Sequence, residues 1–156
     1  NDKTKIFNFA LSDKNSNKIL FMPYYKGINL DSLNSFEINN IMKYKKKYLK
    51  NLNIKIIKKI VKTFTLDSLN LKSDFIKLDV ENHELEVLKG GKQHLKKNKP
   101  VILLENNKKI RKVSLFLKSI NYSPYRISKN GFAKNKNLLG DDIFFFHRSK
   151  NINKLI

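Results

Sequence analysis

Residues 74–91, Asp74-Phe-Ile-Lys-Leu-Asp-Val-Glu-Asn-His-Glu-Leu-Glu-Val-Leu-Lys-Gly-Gly91, constrain the fold of this chain more than any other stretch. Ile76, Leu78 and Val80, extended by Phe75, make a short buried strand over 75–80 that runs straight into a helix. Side chains two apart on a strand point the same way, so Asp79 and Glu81 are expected to share a face at the strand's carboxyl end. Ligands of open parallel α/β sheets collect just beyond such ends, which makes the two carboxylates a candidate site. The same pattern also fits two acids that cap the following helix and pair with nearby lysines.

The rest of the chain supplies a matching framework. Ile6–Leu11 and Ile19–Met22 read as short strands, residues 23–35 as loop, and 36–51 as a helix with irregular apolar spacing. Ile54–Phe64 is rich in β-branched residues and reads as a strand. A helix is expected from about His83 to Lys97, with Leu85, Leu88 and Leu95 on one stripe. The continuous apolar run Val101–Leu104 suits a parallel strand covered on both faces. Ile110, Val113, Leu117 and Ile120 mark an amphipathic helix, and 125–127 with 142–146 form a closing pair of strands. This order predicts an α/β fold, a mostly parallel sheet with an antiparallel edge, in one domain spanning 1–156.

Composition excludes several classes of function. With no cysteine in 156 residues there is no disulfide framework, thiolate zinc site or cysteine nucleophile. No apolar run approaches the ~20 residues a membrane span needs, and no leader peptide is visible, so a cytoplasmic domain is expected. The formal net charge of +20 comes almost wholly from lysine, because only Arg111, Arg126 and Arg148 are arginines. Lys, Asn and Ile are enriched together, as a coding bias toward A and T would enrich them. Specific phosphate and base readout leans on Arg forks, so no specific nucleic-acid partner is expected. His83 and His94 are eleven residues apart, roughly 16 Å along a helix, too far to share one metal ion.

Residues 74–91 resemble the signature of the FkbM family of S-adenosylmethionine-dependent methyltransferases. Ala10-Leu-Ser-Asp13, Thr65-Leu-Asp-Ser-Leu69 and Pro100-Val-Ile-Leu-Leu-Glu105 are similar to further family landmarks, in the family order. The resemblance implies a Rossmann-like class I methyltransferase fold and methyl transfer to a hydroxyl of a sugar, glycan or related small molecule. It implies Asp79 and Glu81 as catalytic residues, with Asp79 first as base. Glu105, His83 and Asn82 are implied on the substrate side, and Ser12 and Asp13 as contacts to the S-adenosylmethionine cofactor. Asp67 is read as a turn residue bonding local backbone.

The chain departs from the family in two places. The family's Gly-rich turn after a first strand has no counterpart among the five glycines, Gly27, Gly90, Gly91, Gly131 and Gly140. The sequence therefore resembles a partial fold with its first βαβ unit missing. It would be a fragment of a longer reading frame, a domain completed by a partner, or an inactive remnant. Asn82 stands where the family has glycine, and Asn is the residue after Gly that best tolerates positive φ, so the turn is expected to survive.

Overall fold

The computed structural model describes residues 4–152. The elements are β1 (Ala10–Leu11), β2 (Ser16–Tyr25), β3 (Ile28–Asn29), α1 (Ile38–Tyr48), β4 (Lys55–Phe64), β5 (Phe75–Leu78), α2 (Glu84–Gly90), α3 (Lys92–Asn98), β6 (Val101–Glu105), α4 (Ile110–Ser119), β7 (Tyr122–Ser128), β8 (Gly131–Lys134) and β9 (Asp142–His147). They form an α/β arrangement with two sheets, ordered β1-β4-β2-β3 and β5-β6-β9-β7-β8.

The expected mostly parallel sheet is corrected. Only β1 with β4 and β5 with β6 pair in parallel, and the other pairings among the described residues are antiparallel. The cause lies in the partners the strands find. β2 and β4 are both ten residues long and register from Ser16↔Thr63 to Tyr24↔Lys55 as one antiparallel ribbon. β9 inserts antiparallel between β6 and β7, so β6 has a parallel neighbour on one side only.

Local differences have local reasons. Pro23 does not end β2, because its carbonyl is the bonding group, accepting the Leu30 N–H at 2.9 Å and Asn29 Nδ2 at 3.1 Å. The expected strand over 6–11 narrows to β1, since β4's far edge pairs only through Thr63 and Phe64. Beyond that pairing β4's edge is unpaired among the described residues, with exposed Lys55, Lys58, Lys59 and Lys62 along the strand. The expected helix over 83–97 breaks into α2 and α3 at Gly91. Asp67 bonds distant rather than local groups: its carboxylate accepts the N–H of Gln93 (3.1 Å) and of His94 (2.7 Å), capping α3.

The core lies between the five-stranded sheet and α2, α3 and α4. Leu78, Ile102, Leu104, Ile143 and Phe145 point from the strands to meet Val87, Leu88, Leu95, Val113 and Leu117. Burial of this order is the main stabilising term, at about 25 cal/mol per Å² of apolar area. The opposite face of that sheet carries aromatic side chains. Phe132 packs edgewise on Phe144 and Phe146, and Tyr125 on Phe146, with ring centroids 4.9–5.3 Å apart. β5 is an edge strand, paired among the described residues only with β6, and its Phe75 is 50% exposed.

Candidate active site

The carboxyl ends of β5 and β6 gather three carboxylates. β5 stops at Leu78, and the backbone then turns through two consecutive left-handed residues, Glu81 at φ 48° and Asn82 at φ 70°. Asn82 thus holds the positive φ expected of it. The helix cap is His83, with no side-chain bond, while Glu84 Oε1 accepts the Asn82 N–H at 3.2 Å. Strand alternation therefore does not align Glu81 with Asp79 as the sequence suggested; the turn brings it back. On the strand's outer face Asp79 lies 3.7 Å from its i−2 neighbour Lys77.

Glu81 is the electrostatic centre of this rim. Partial burial, followed by the nearby charges of Glu105, Asp79 and Glu84, raises its pKa above the usual carboxylate value. It borders two clefts. One, of about 560 Å³, lies between α1 and the ends of β5 and β6, and is lined by Glu81, Asn82, Glu105, Asn106 and Tyr44. That volume is in the range of small-molecule sites. The other, of about 610 Å³, lies between the two sheets, and Asp79 and Glu81 face Phe9, Met22 and Ile60 across it.

Ser12 and His83 form a separate, buried contact with exposed Asp13 beside it. Ser12 follows β1, its N–H bonded to Phe64 O at 2.9 Å, and it is fully buried. Its Oγ lies 3.0 Å from His83 Nε2 and 3.0 Å from Asp13 Oδ1, and it accepts from Lys18 Nζ at 2.7 Å. Burial works against the Asp13 charge, but the Ser12 hydroxyl and the Lys18 ammonium hold its carboxyl below the usual range. Burial, then Lys18, lowers the His83 pKa, so the ring is neutral near pH 7. A neutral ring has one N–H for two neighbours, Ser12 Oγ and Glu86 Oε2, the latter 3.7 Å from Nδ1 and without a hydrogen bond. His83 therefore stands with Ser12 and Asp13, apart from Glu105 and Asn82, which share the α1 cleft with Glu81.

Sequence reasoning missed two lysines that tie these parts together. Lys18 is one. Lys109, at the start of α4, donates to Glu37 Oε1 and to the Asn82 carbonyl, both at 2.8 Å. It joins α1, the left-handed turn and α4, and its hydrogen bond holds the Glu37 carboxyl below its ordinary pKa. Nothing in the local sequence sets Lys109 apart from its neighbours, because its partners are 72 and 27 residues away. Lys109→Ala should lower stability by about 1 kcal/mol, the size of a charge-assisted bond to a half-exposed partner. Urea midpoints of Lys109→Ala, Glu37→Ala and the double variant check this. Strictly additive losses would refute the coupling.

Among the described residues no cluster of three His, Cys, Asp or Glu is placed to hold a metal ion, and no helix is long and apolar enough to cross a membrane. The strand-to-helix connections β5–α2 and β6–α4 contain no glycine. Gly90 and Gly91 are packed against Ser12 and Leu66 rather than open to a ligand. Neither these two connections nor Gly90 and Gly91 form the glycine cradle at which a Rossmann-like fold holds a nucleoside cofactor.

The methyltransferase FkbM domain family model matches residues 3–125. Among solved structures, methyltransferase FkbM from Methylobacillus flagellatus KT is similar at 19% identity and a TM-score of 0.42, over 56% of this chain and 24% of that one. This chain thus spans about a quarter of the length of that protein. No curated protein matches the chain.

Proposed function

The chain belongs to the FkbM methyltransferase family, and on that premise we propose that it forms the acceptor side of an S-adenosylmethionine-dependent O-methyltransferase acting on a sugar or glycan hydroxyl. The observation that carries this reading is the pair Glu81 and Glu105 opening onto the 560 Å³ cleft, with Asp79 beside Glu81 on the inter-sheet side. Carboxylates are acceptor-only groups, suited to orienting the hydroxyls of a polyol and to drawing a proton from one of them.

Glu81 is the preferred base. It lies between Asp79 and Glu105, and its raised pKa brings it closer to working pH than an ordinary carboxylate. Asp79, exposed and beside Lys77, takes a supporting place on the inter-sheet side. Glu105 and Asn82 hold neighbouring hydroxyls in the α1 cleft. Ser12 and His83 form a buried brace behind the turn with exposed Asp13 beside it, and any contact with the cofactor runs through Asp13 or through Lys18 and His83, which line the surface there. S-adenosylmethionine supplies the methyl group when bound. The β5–α2 and β6–α4 connections do not make its cradle, so no step is assigned to it.

The open edge of β5 and its half-exposed Phe75 favour a second reading, in which another polypeptide segment completes the sheet there and carries the donor site. One assay addresses the activity. The product of the natural gene is incubated with methyl-labelled S-adenosylmethionine and a panel of saccharides, proteins and nucleic acids. Label on a saccharide hydroxyl is the expected result. Label only in protein or nucleic acid would overturn the acceptor assignment.

A further inference from the structure

The wall of the α1 cleft opposite the carboxylates is built differently from its floor. Lys43 and Lys47 lie four apart on α1, and so do Tyr44 and Tyr48; all four line the cleft. Residues four apart share one helix face, so cations and rings alternate along a single stripe. The two tyrosine rings are 4.7 Å apart, and Lys47 Nζ sits 4.6 Å from the Tyr48 centroid, which fixes the direction of its charge. Lys108 closes the rim from the β6 side. Among the described residues the carboxylate-paired lysines are Lys18, Lys77 and Lys109, so Lys43, Lys47 and Lys108 form no ion pair with Glu81 or Glu105.

The cleft is therefore polarised: hydroxyl-accepting carboxylates and amides on the sheet side, ammonium groups and aromatic faces on the helix side. A neutral sugar would use the first wall and the tyrosine rings and leave the ammonium groups unmatched. We propose that the α1 cleft takes a phosphorylated sugar, its hydroxyls on Glu81 and Glu105, its ring against Tyr44 and Tyr48, and its phosphate between Lys43, Lys47 and Lys108. This names the acceptor class and rests on the acceptor reading above. Two lysines on adjacent turns suit a phosphate dianion, which ammonium groups bind as point charges.

A chain of net charge +20 attracts any anion, so the test must separate this cleft from the general field. The ¹⁵N-labelled protein is titrated at 150 mM salt with glucose, glucose 6-phosphate, glucuronate and inorganic phosphate. A charge-matched pair of variants is compared: Lys43→Gln/Lys47→Gln in the cleft and Lys58→Gln/Lys59→Gln on β4. Expected are amide shifts at Tyr44, Glu81 and Glu105, and glucose 6-phosphate binding at least tenfold tighter than glucose. The cleft pair should abolish that advantage, while the β4 pair leaves it within twofold. Glucuronate matching glucose 6-phosphate would overturn the phosphate assignment in favour of a sugar acid. Equal binding of glucose and glucose 6-phosphate at those amides would overturn the anion preference and leave the sugar reading standing. Shifts from inorganic phosphate alone, with no sugar moving Glu81 or Glu105, would sink both.

Discussion

Replacing Gly90 with alanine is expected to destabilise the protein by about 3 kcal/mol or more, a large effect for one methyl group. A Cβ at Gly90 would stand 2.0 Å from the Ser12 carbonyl oxygen, 3.0 Å from its carbon and 3.2 Å from Asp13 Cα. All three are backbone atoms, so no side chain can swing aside. Within a helix, alanine is favoured over glycine by about 1 kcal/mol, and the collision overrides that preference. Gly91→Ala provides the control, since its Cβ would meet Leu66 Cδ2 at 2.8 Å, the end of a flexible side chain. For a chain of this length Gly90→Ala should lower Tm by roughly 6–12 °C, with a much smaller shift for Gly91→Ala. Equal melting of the two variants would contradict the close approach of α2 to the segment after β1. Because that segment holds Ser12 and Asp13, loss of the contact should also disturb the His83 network.

Glu81→Gln is expected to lower methyl transfer by about 10²–10⁴-fold, the usual contribution of a positioned general base. It should raise stability at neutral pH at the same time. The sign follows from the raised pKa. Between the ordinary value of 4.5 and the higher folded value, the folded protein binds more protons than the unfolded chain, so stability falls as pH rises through that window. Above it, the wild type carries an ionised Glu81 against Glu105, Asp79 and Glu84, and the neutral amide does not. Denaturation of both proteins at pH 4 and pH 7 reads this directly: the advantage of Glu81→Gln should be present at pH 7 and shrink toward pH 4. A variant that loses activity and stability together would point to a structural role. Asp79→Asn, changing an exposed residue, should cost less activity; the reverse order would return the base to Asp79.

What the sequence made legible follows from the range of the forces involved. β5, β6 and α4 were readable because period-2 or continuous apolar runs and 3.6-residue spacing are local, and their burial bears this out in Leu78, Ile102, Leu104, Val113 and Leu117. Glu105, implied on the substrate side by the resemblance, lines the α1 cleft with Glu81. Pairing was not readable. Nothing near Ser16 indicates that its partner is Thr63, or that β9 slips between β6 and β7. The left-handed Glu81 was also hidden, since only Asn82 carries a turn preference while the strain at Glu81 is held by Lys109 on the Asn82 carbonyl. Lys18, Lys109 and Asp67 act on partners far along the chain, and in a lysine-rich sequence no composition signal separates a tether from a solvated side chain.

The side of β4 left unpaired among the described residues bears on how molecules of this protein would meet one another. An unpaired strand edge is a template for a second molecule to dock on, yet here a self-complementary approach would bring Lys55, Lys58, Lys59 and Lys62 of one copy against those of another. At physiological ionic strength the repulsion reaches about 8 Å, beyond the distance at which strands begin to bond; at 1 M salt it reaches only ~3 Å. The lysine excess, whatever its coding origin, thus acts against edge-to-edge pairing, and self-association is expected to rise as added salt screens it.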